Sequence, residues 1–210
     1  MINFSKYKII LWDFDGVLMD SMPVRDSGFL KVLSDYPTDQ VSALMTYHRA
    51  NGGLSRYVKF KYFFEEIRGE SVSEEKILSL ADSFSKIMME QLINPDLLIE
   101  DSINFVKENC RKVRMHIVSG SDGQELNEIC RQLNLSNFFY SIHGSPTPKT
   151  ELVAGLLRQN NDAKTSTVLI GDSKNDWEAA SVNGIDFLGY NNTKIMSLGL
   201  NYIHSFSYVG

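Results

Sequence analysis

The sequence predicts an α/β protein, a parallel sheet with crossover helices and a separate helical insertion. Three observations lead there. Short apolar runs mark strands near residues 8–13, 113–118, 138–142, 167–171 and 185–189, and the last four alternate with helical patterns, as a parallel sheet requires. From about Met19 to Pro95 there are several helical patterns and no clear strand, a stretch too long for a simple connection and so expected to form a unit of its own. The chain has 210 residues, 43% of them hydrophobic, enough to bury a substantial core.

The first strand, Ile9-Ile10-Leu11-Trp12, stops at Asp13-Phe14-Asp15-Gly16. A short apolar run ending in two acids reads as a buried strand that delivers paired carboxylates to its C-terminal end. Burying unpaired carboxylates costs on the order of several kcal/mol or shifts their pKa, so a cation or a reaction usually offsets the penalty. An acidic turn with Gly16 at positive φ would explain the same four residues. The choice between these readings depends on the rest of the chain.

In the insertion, helical patterns run from about Pro23 to Tyr36, Thr38 to Ala50, Arg56 to Arg68, and Ser73 to Leu92. Ser73 is a plausible N-cap, with Lys76 where a capping box would place Glu. Between the second and third patterns lies an unusual stretch containing His48, Arg49, Asn51, Gly52, Gly53, Arg56 and Lys59. Its flexible loop could present cations to an anionic or hydroxylated leaving group. A glycine-terminated helix with solvated basic residues in its last turn explains the stretch equally well. Tyr57, Phe60, Tyr62, Phe63 and Phe64 read as core of this unit rather than as a stacking platform.

The second strand, His116-Ile117-Val118, ends at Ser119-Gly120-Ser121, a hydroxyl followed by a glycine whose N–H can approach an anion. The third run, Phe138 to Ile142, leads into a polar loop where Lys149 opens the helical pattern Leu152, Val153, Leu156, Leu157. Alone, Lys149 reads as a solvated lysine. The fourth, Thr167 to Ile170, ends in Gly171-Asp172-Ser173-Lys174-Asn175-Asp176, whose acids at i and i+4 would share one face of the first helical turn. His116 and His143 lack metal-ligand spacing and read as structural. Cys110 and Cys130 fall in helical patterns and read as reduced core residues. Tyr202-Ile203-His204 reads as an edge strand.

These four signals, in one order and each at an expected strand end, resemble the motifs of the haloacid dehalogenase-like (HAD) phosphohydrolases. Asp13-Phe14-Asp15-Gly16-Val17-Leu18 with Asp20-Ser21 looks like the first motif, Ser119 the second, Lys149 the third and Gly171 to Asp176 the fourth. Thr150 departs from the pattern, since many relatives have proline there. The likeness is to the phosphoglycolate phosphatase and β-phosphoglucomutase branch, which carries a type-1 helical cap. It implies a Rossmann-like core from residues 1–18 and 96–210, a cap from 19–95, and neighbouring strands for Asp13 and Asp172.

The resemblance also implies a chemistry. Asp13 would attack the phosphorus and form an aspartyl-phosphate, and Asp15 would act as general acid and then as general base. Mg²⁺ would bind the carboxylates of Asp13 and Asp172 and the backbone carbonyl of Asp15, with Asp176 ordering that shell. Lys149 would pair with Asp13 and the phosphoryl oxygens, while Ser119 and the N–H of Gly120 hold the transferring group. An acid at Asp15 favours phosphate esters over carbon–halogen or carbon–phosphorus bonds. The expected activity is a phosphatase acting on a small phosphorylated metabolite, a sugar phosphate or phosphorylated hydroxy acid. A phosphomutase and a catalytically silent binding protein of the same fold are the alternatives.

Composition narrows the classes further. A net charge of -5 argues against general nucleic-acid binding, which rests on Lys and Arg neutralising phosphates. No apolar run is long enough to span a membrane. Met1 to Lys8 is polar and the run behind it too short for a signal peptide, so a cytoplasmic location is expected.

Overall fold

The computed structural model describes residues 3–160 and 164–208. At its centre is β1 (Ile9–Trp12), buried along its whole length. It pairs in parallel with β2 (Arg114–Asp122) on one side and β4 (Thr167–Gly171) on the other. With β3 (Ser141–Ser145), β5 (Asp186–Tyr190) and β6 (Tyr202–Ile203), the described residues form one six-stranded parallel sheet in the order β3-β2-β1-β4-β5-β6. This is the α/β, Rossmann-like arrangement the sequence predicts, and the reversal of direction on either side of β1 creates the crevice where open α/β sheets bind ligands.

Alternate residues of β1 serve opposite faces. Ile10 and Trp12 join a large core with Phe105 and Phe206, while Ile9 and Leu11 pack with Val153, Leu169 and Ala179 on the other side. Helices α5 (Glu100–Asn109), α6 (Gly123–Gln132), α7 (Lys149–Asn160), α8 (Lys174–Asn183) and the short α9 (Thr193–Met196) complete the sheet-bearing part. Register fixes the level of the strand ends. Trp12 stands opposite both Ile117 and Ile170, so Asp13, Ser119 and Asp172 emerge along one edge.

Between β1 and α5 come α1 (Met22–Val32), α2 (Thr38–Ala50), α3 (Arg56–Tyr62) and α4 (Glu74–Leu92). Their shared core is aromatic, with Phe29 packed on Phe84 and Phe60 at centroid separations of 4.6 and 5.3 Å. The two ends of this insertion meet: the Asp20 N–H donates to the Leu97 carbonyl at 2.8 Å, and the Ile99 N–H to the Leu18 carbonyl at 3.0 Å. Ser73 caps α4 by accepting from the Lys76 N–H.

Several boundaries differ from the sequence expectations. α1 stops at Val32, not Tyr36: the Leu33 N–H still donates to the Phe29 carbonyl, but those of Ser34 and Tyr36 turn to the carbonyls of Lys31 and Leu33 and close a tight turn before Pro37. The pattern from Arg56 to Arg68 is α-helical only to Tyr62 and continues as a π-turn over Phe63–Ile67. The third strand lies at Ser141–Ser145, three residues later than expected. Phe138 belongs to a 3₁₀ turn and Phe139 is buried in the core from outside the strand. β3 itself is a half-buried edge strand, so it lacks the continuous apolar run that marks interior strands. Cys130 is buried, but Cys110 ends α5 half-exposed. Among the described residues, no helix is long and apolar enough to cross a membrane.

Candidate active site

Three carboxylates converge where β1 and β4 end. Ligand atoms of Asp13, Asp172 and Asp176 all lie within 4.8 Å of one another. Each arrives from a different local structure. Asp13 follows β1, its N–H donating to the Ile170 carbonyl at 2.9 Å. Asp172 lies in the turn before α8, because Ser173 is the N-cap of that helix. The two acids of the fourth motif therefore do not share a helical turn as the sequence suggests. Asp176 is the third residue of α8 and closes a capping box, accepting from the Ser173 N–H and hydroxyl at 3.0 and 2.7 Å.

Lys149, at the start of α7, is buried and not solvated. Its ammonium lies 2.8 Å from Asp13 Oδ1 and also pairs with Asp176. Burial works to lower the Lys149 pKa, but Asp13 and Asp176 overcome it and hold the lysine charged. One lysine does not balance three acids. Burial, reinforced by the Asp176 charge and opposed by Lys149, pushes Asp13 up to about 7. Burial, then the charges of Asp13 and Asp176, raise Asp172 well above the usual carboxylate range. Gly16, at φ 78°, allows this crowding, since a Cβ there would overlap Asp172 Oδ2.

Ser119 is buried beside this cluster, its hydroxyl accepting from the Ser121 N–H at 3.1 Å. Ser119 and Gly120 lie inside β2, which runs on to Asp122, with the register shifting between Val118 and Asp122. A cavity of about 380 Å³ opens over Asp13, Ser119, Gly120 and Asp172, with Lys174 and Lys194 on its wall. Asn192 steadies this edge by donating to the Asp172 carbonyl at 2.7 Å, and Asn191 by donating to that of Gly16 at 2.9 Å.

The Asp15 side chain is outside the carboxylate cluster and points to a different set of partners. It accepts from Arg25 Nε at 3.0 Å and from the hydroxyls of Ser21 and Ser121. Burial would raise its pKa, but Arg25 and the two hydroxyls hold it below the usual carboxylate range. Arg25 also donates to Glu125 Oε1 at 2.6 Å, and Glu125 Oε2 lies 2.7 Å from Arg56 Nη1. Sequence reasoning missed Arg25 and Glu125 entirely. Ser21 and Ser121 stood within the quoted motifs but carried no separate signal.

The basic stretch of the insertion divides. Arg49 is exposed and pairs with Asp26 at 2.8 Å. Asn51 donates to the Tyr47 carbonyl and finishes α2. His48 is buried against Phe29, its Nε2 3.1 Å from Asp26 Oδ1, and burial together with the Lys59 charge depresses its pKa to about 3. Arg56 and Lys59, expected to be either substrate-facing or solvated, are both buried. Gly52 and Gly53 reach the sheet: Gly53 lies against Ser173 and Asn175, and a Cβ on Gly120 would overlap the Gly53 carbonyl. Tyr57 adds a second contact, donating to Asp122 Oδ2 at 2.7 Å. Phe60, Phe63 and Phe64 are core residues, as expected. His116 and His143 lie away from these sites, bridged by Ser141 at 2.7 and 2.6 Å.

A parallel sheet gathers acids at its C-terminal edge beside a helical insertion, the α/β architecture of an enzyme with a carboxylate-based site. The chain belongs to the haloacid dehalogenase-like hydrolases, whose family model matches residues 10–190. It is 23% identical over 184 residues to a phosphorylated carbohydrates phosphatase of Thermotoga maritima, covering 84% of this chain and 82% of the relative. It is 22% identical over 211 residues to a phosphoglycolate phosphatase of Colwellia psychrerythraea, covering 96% and 89%. In fold it is similar to CbbY of Rhodobacter sphaeroides, solved with xylulose-(1,5)bisphosphate, at a TM-score of 0.78 and 14% identity over 97% of this chain and 96% of the other.

Proposed function

We propose that the protein hydrolyses the phosphate monoester of a small phosphorylated carbohydrate or hydroxy acid, with Asp13 as the nucleophile. The protein is a phosphoric monoester hydrolase by its family and its relatives. The observation that carries the residue assignment is the contact of Asp13 Oδ1 with Lys149 Nζ at 2.8 Å, beside Ser119 at the strand edge. A phosphomonoester dianion repels an attacking carboxylate, so the site must supply positive charge. Lys149 provides part of it, and the Ser119 hydroxyl and Gly120 N–H would hold the phosphoryl oxygens.

The residues present fit a divalent cation, and we assign Mg²⁺. Asp13, buried, and Asp172, half-buried, are oxygen donors with raised pKa values and too little neighbouring cation, the environment in which a hard metal relieves the cost of burial. The Asp13 and Asp172 carboxylates and the Asp15 carbonyl would hold it, with Asp176 orienting Lys149 and Ser173. When bound, it would neutralise phosphoryl charge during transfer.

Asp15 would be the general acid and then the general base, giving a proton to the leaving oxygen when protonated and taking one from water when ionised. The hydrogen bonds from Arg25, Ser21 and Ser121 keep it ionised here, the form that accepts a proton from water attacking the phosphorylated Asp13. Residues 19–95 would act as a cap, with the contacts of Gly53 and Tyr57 closing it over the site.

Phosphate release from a panel of sugar phosphates, phosphorylated acids and nucleotides, with and without Mg²⁺, tests the proposal. The expected result is metal-dependent release from one chemical class, needing no bisphosphate primer and lost in Asp13→Asn. Release that persists in folded Asp13→Asn would remove Asp13 from its role. Turnover only with a primer would assign a mutase.

A further inference from the structure

We propose that Lys59 recognises the leaving group, and that the group it selects is the carboxylate of a short phosphorylated hydroxy acid. This rests on the phosphatase reading above. Lys59 lies on α3 and is 3% exposed. An ammonium has three donors, and among the described residues its only hydrogen-bond acceptor is the Gly52 carbonyl at 3.2 Å. The other buried cations nearby are matched: Arg25 by Asp15 and Glu125, Arg56 by Glu125. A buried ammonium without a carboxylate is costly unless a ligand supplies one.

The surroundings give that ligand a place and a size. Lys59 borders a cavity of about 30 Å³ together with Arg25, Arg56, Phe29 and Phe84. Asp15, Met22, Gly52 and Gly120 line both this cavity and the larger one over Asp13. Asp15 therefore stands between the phosphoryl chamber and Lys59. A leaving group departing past Asp15 meets Lys59 next. The smaller cavity has room for a group the size of water or a carboxylate rather than for a sugar ring. His48, on the same wall, adds no charge in its neutral form. Burial pushes the Lys59 pKa down to about 7 against the attraction of Asp15, so a carboxylate bound beside Lys59 would draw it to the charged form.

The test compares wild type with Lys59→Met on phosphoglycolate and its neutral amide, phosphoglycolamide, in Mg²⁺. Wild type should prefer the acid, and the acid-to-amide ratio of kcat/KM should fall about 10- to 100-fold in Lys59→Met, with partial recovery in Lys59→Arg. Equal losses on both substrates, or an undiminished acid preference, would overturn the proposal. A binding arm reads the same contact without turnover: glycolate, but not glycolamide, should raise the Tm of wild type and not that of Lys59→Met, and no difference between the proteins would overturn it. Hydrolysis of p-nitrophenyl phosphate reports separately on the phosphatase reading. A protein silent on that ester that still shows Lys59-dependent glycolate binding would lose that reading, and with it the leaving-group role, and keep only the carboxylate site at Lys59.

Discussion

Glu125 on α6 is paired with Arg56 on α3 at 2.7 Å, and both side chains are buried. The pair joins the helical insertion to the sheet-bearing part, and the second oxygen of Glu125 holds Arg25, which in turn holds Asp15. One acid thus anchors two arginines of the insertion. Removing it leaves both cations buried and short of a partner.

Glu125→Leu should therefore destabilise the fold by roughly 3–5 kcal/mol, the cost of breaking a buried ion pair. Adding Arg56→Met should recover part of the loss, since an apolar pair avoids the stranded charge. Urea denaturation of the four proteins of this cycle measures the coupling. If the two single losses simply add, the pair is not a coupled unit.

Acid should weaken the protein through His48. Its folded pKa of about 3 lies below the ordinary 6.5, so between those values the unfolded chain binds a proton that the folded one does not. Stability then falls as pH drops from about 6.5 toward 3, with a slope of up to about 1.4 kcal/mol per pH unit from this residue. His48→Phe, beside Phe29, should flatten the decline between pH 6.5 and about 4. Denaturation midpoints at several pH values check this, and an unchanged slope would discharge His48.

The carboxylate cluster should show itself without any turnover. Asp172→Asn removes one of three crowded acids, so the metal-free Tm should rise by about 2–4 °C, the equivalent of about 1 kcal/mol in a chain of this size. Mg²⁺ should stabilise wild type by mass action and the Asp172→Asn protein far less. Thermal melts with and without Mg²⁺ separate the two effects. A Mg²⁺ shift that survives the substitution would place the cation elsewhere.

The insertion comes against the sheet where a Cβ on Gly120 would overlap the Gly53 carbonyl. Gly120→Ala forces the loop away from Ser119, and a displacement of about 1 Å at a reacting site can cost about 10²-fold in rate. Phosphate release by Gly120→Ala should fall on that scale while its melting curve stays close to that of wild type. Full activity would show that the loop does not close during turnover.

The sequence by itself determined the α/β class and the strand ends on which the acids sit. An apolar run followed by Asp13-Phe14-Asp15-Gly16, or by Gly171-Asp172, records burial and then a turn within a few residues. Helix α2 was legible over its whole length, Thr38–Ala50, for the same local reason. Tertiary structure decided what those acids face. Arg25 and Glu125 are 100 positions apart, and no periodicity or spacing links them, because their pairing depends on how α1 and α6 pack. Burial of Lys59 and Arg56 was hidden likewise, since a charged residue in the first turns of a helix reads as solvated until another element covers it. The half-buried β3 was misplaced because an edge strand exposes polar residues and carries a weaker hydrophobic signature. Local chemistry is written in neighbouring residues, whereas the environment that sets a charge is assembled from elements far apart in the chain.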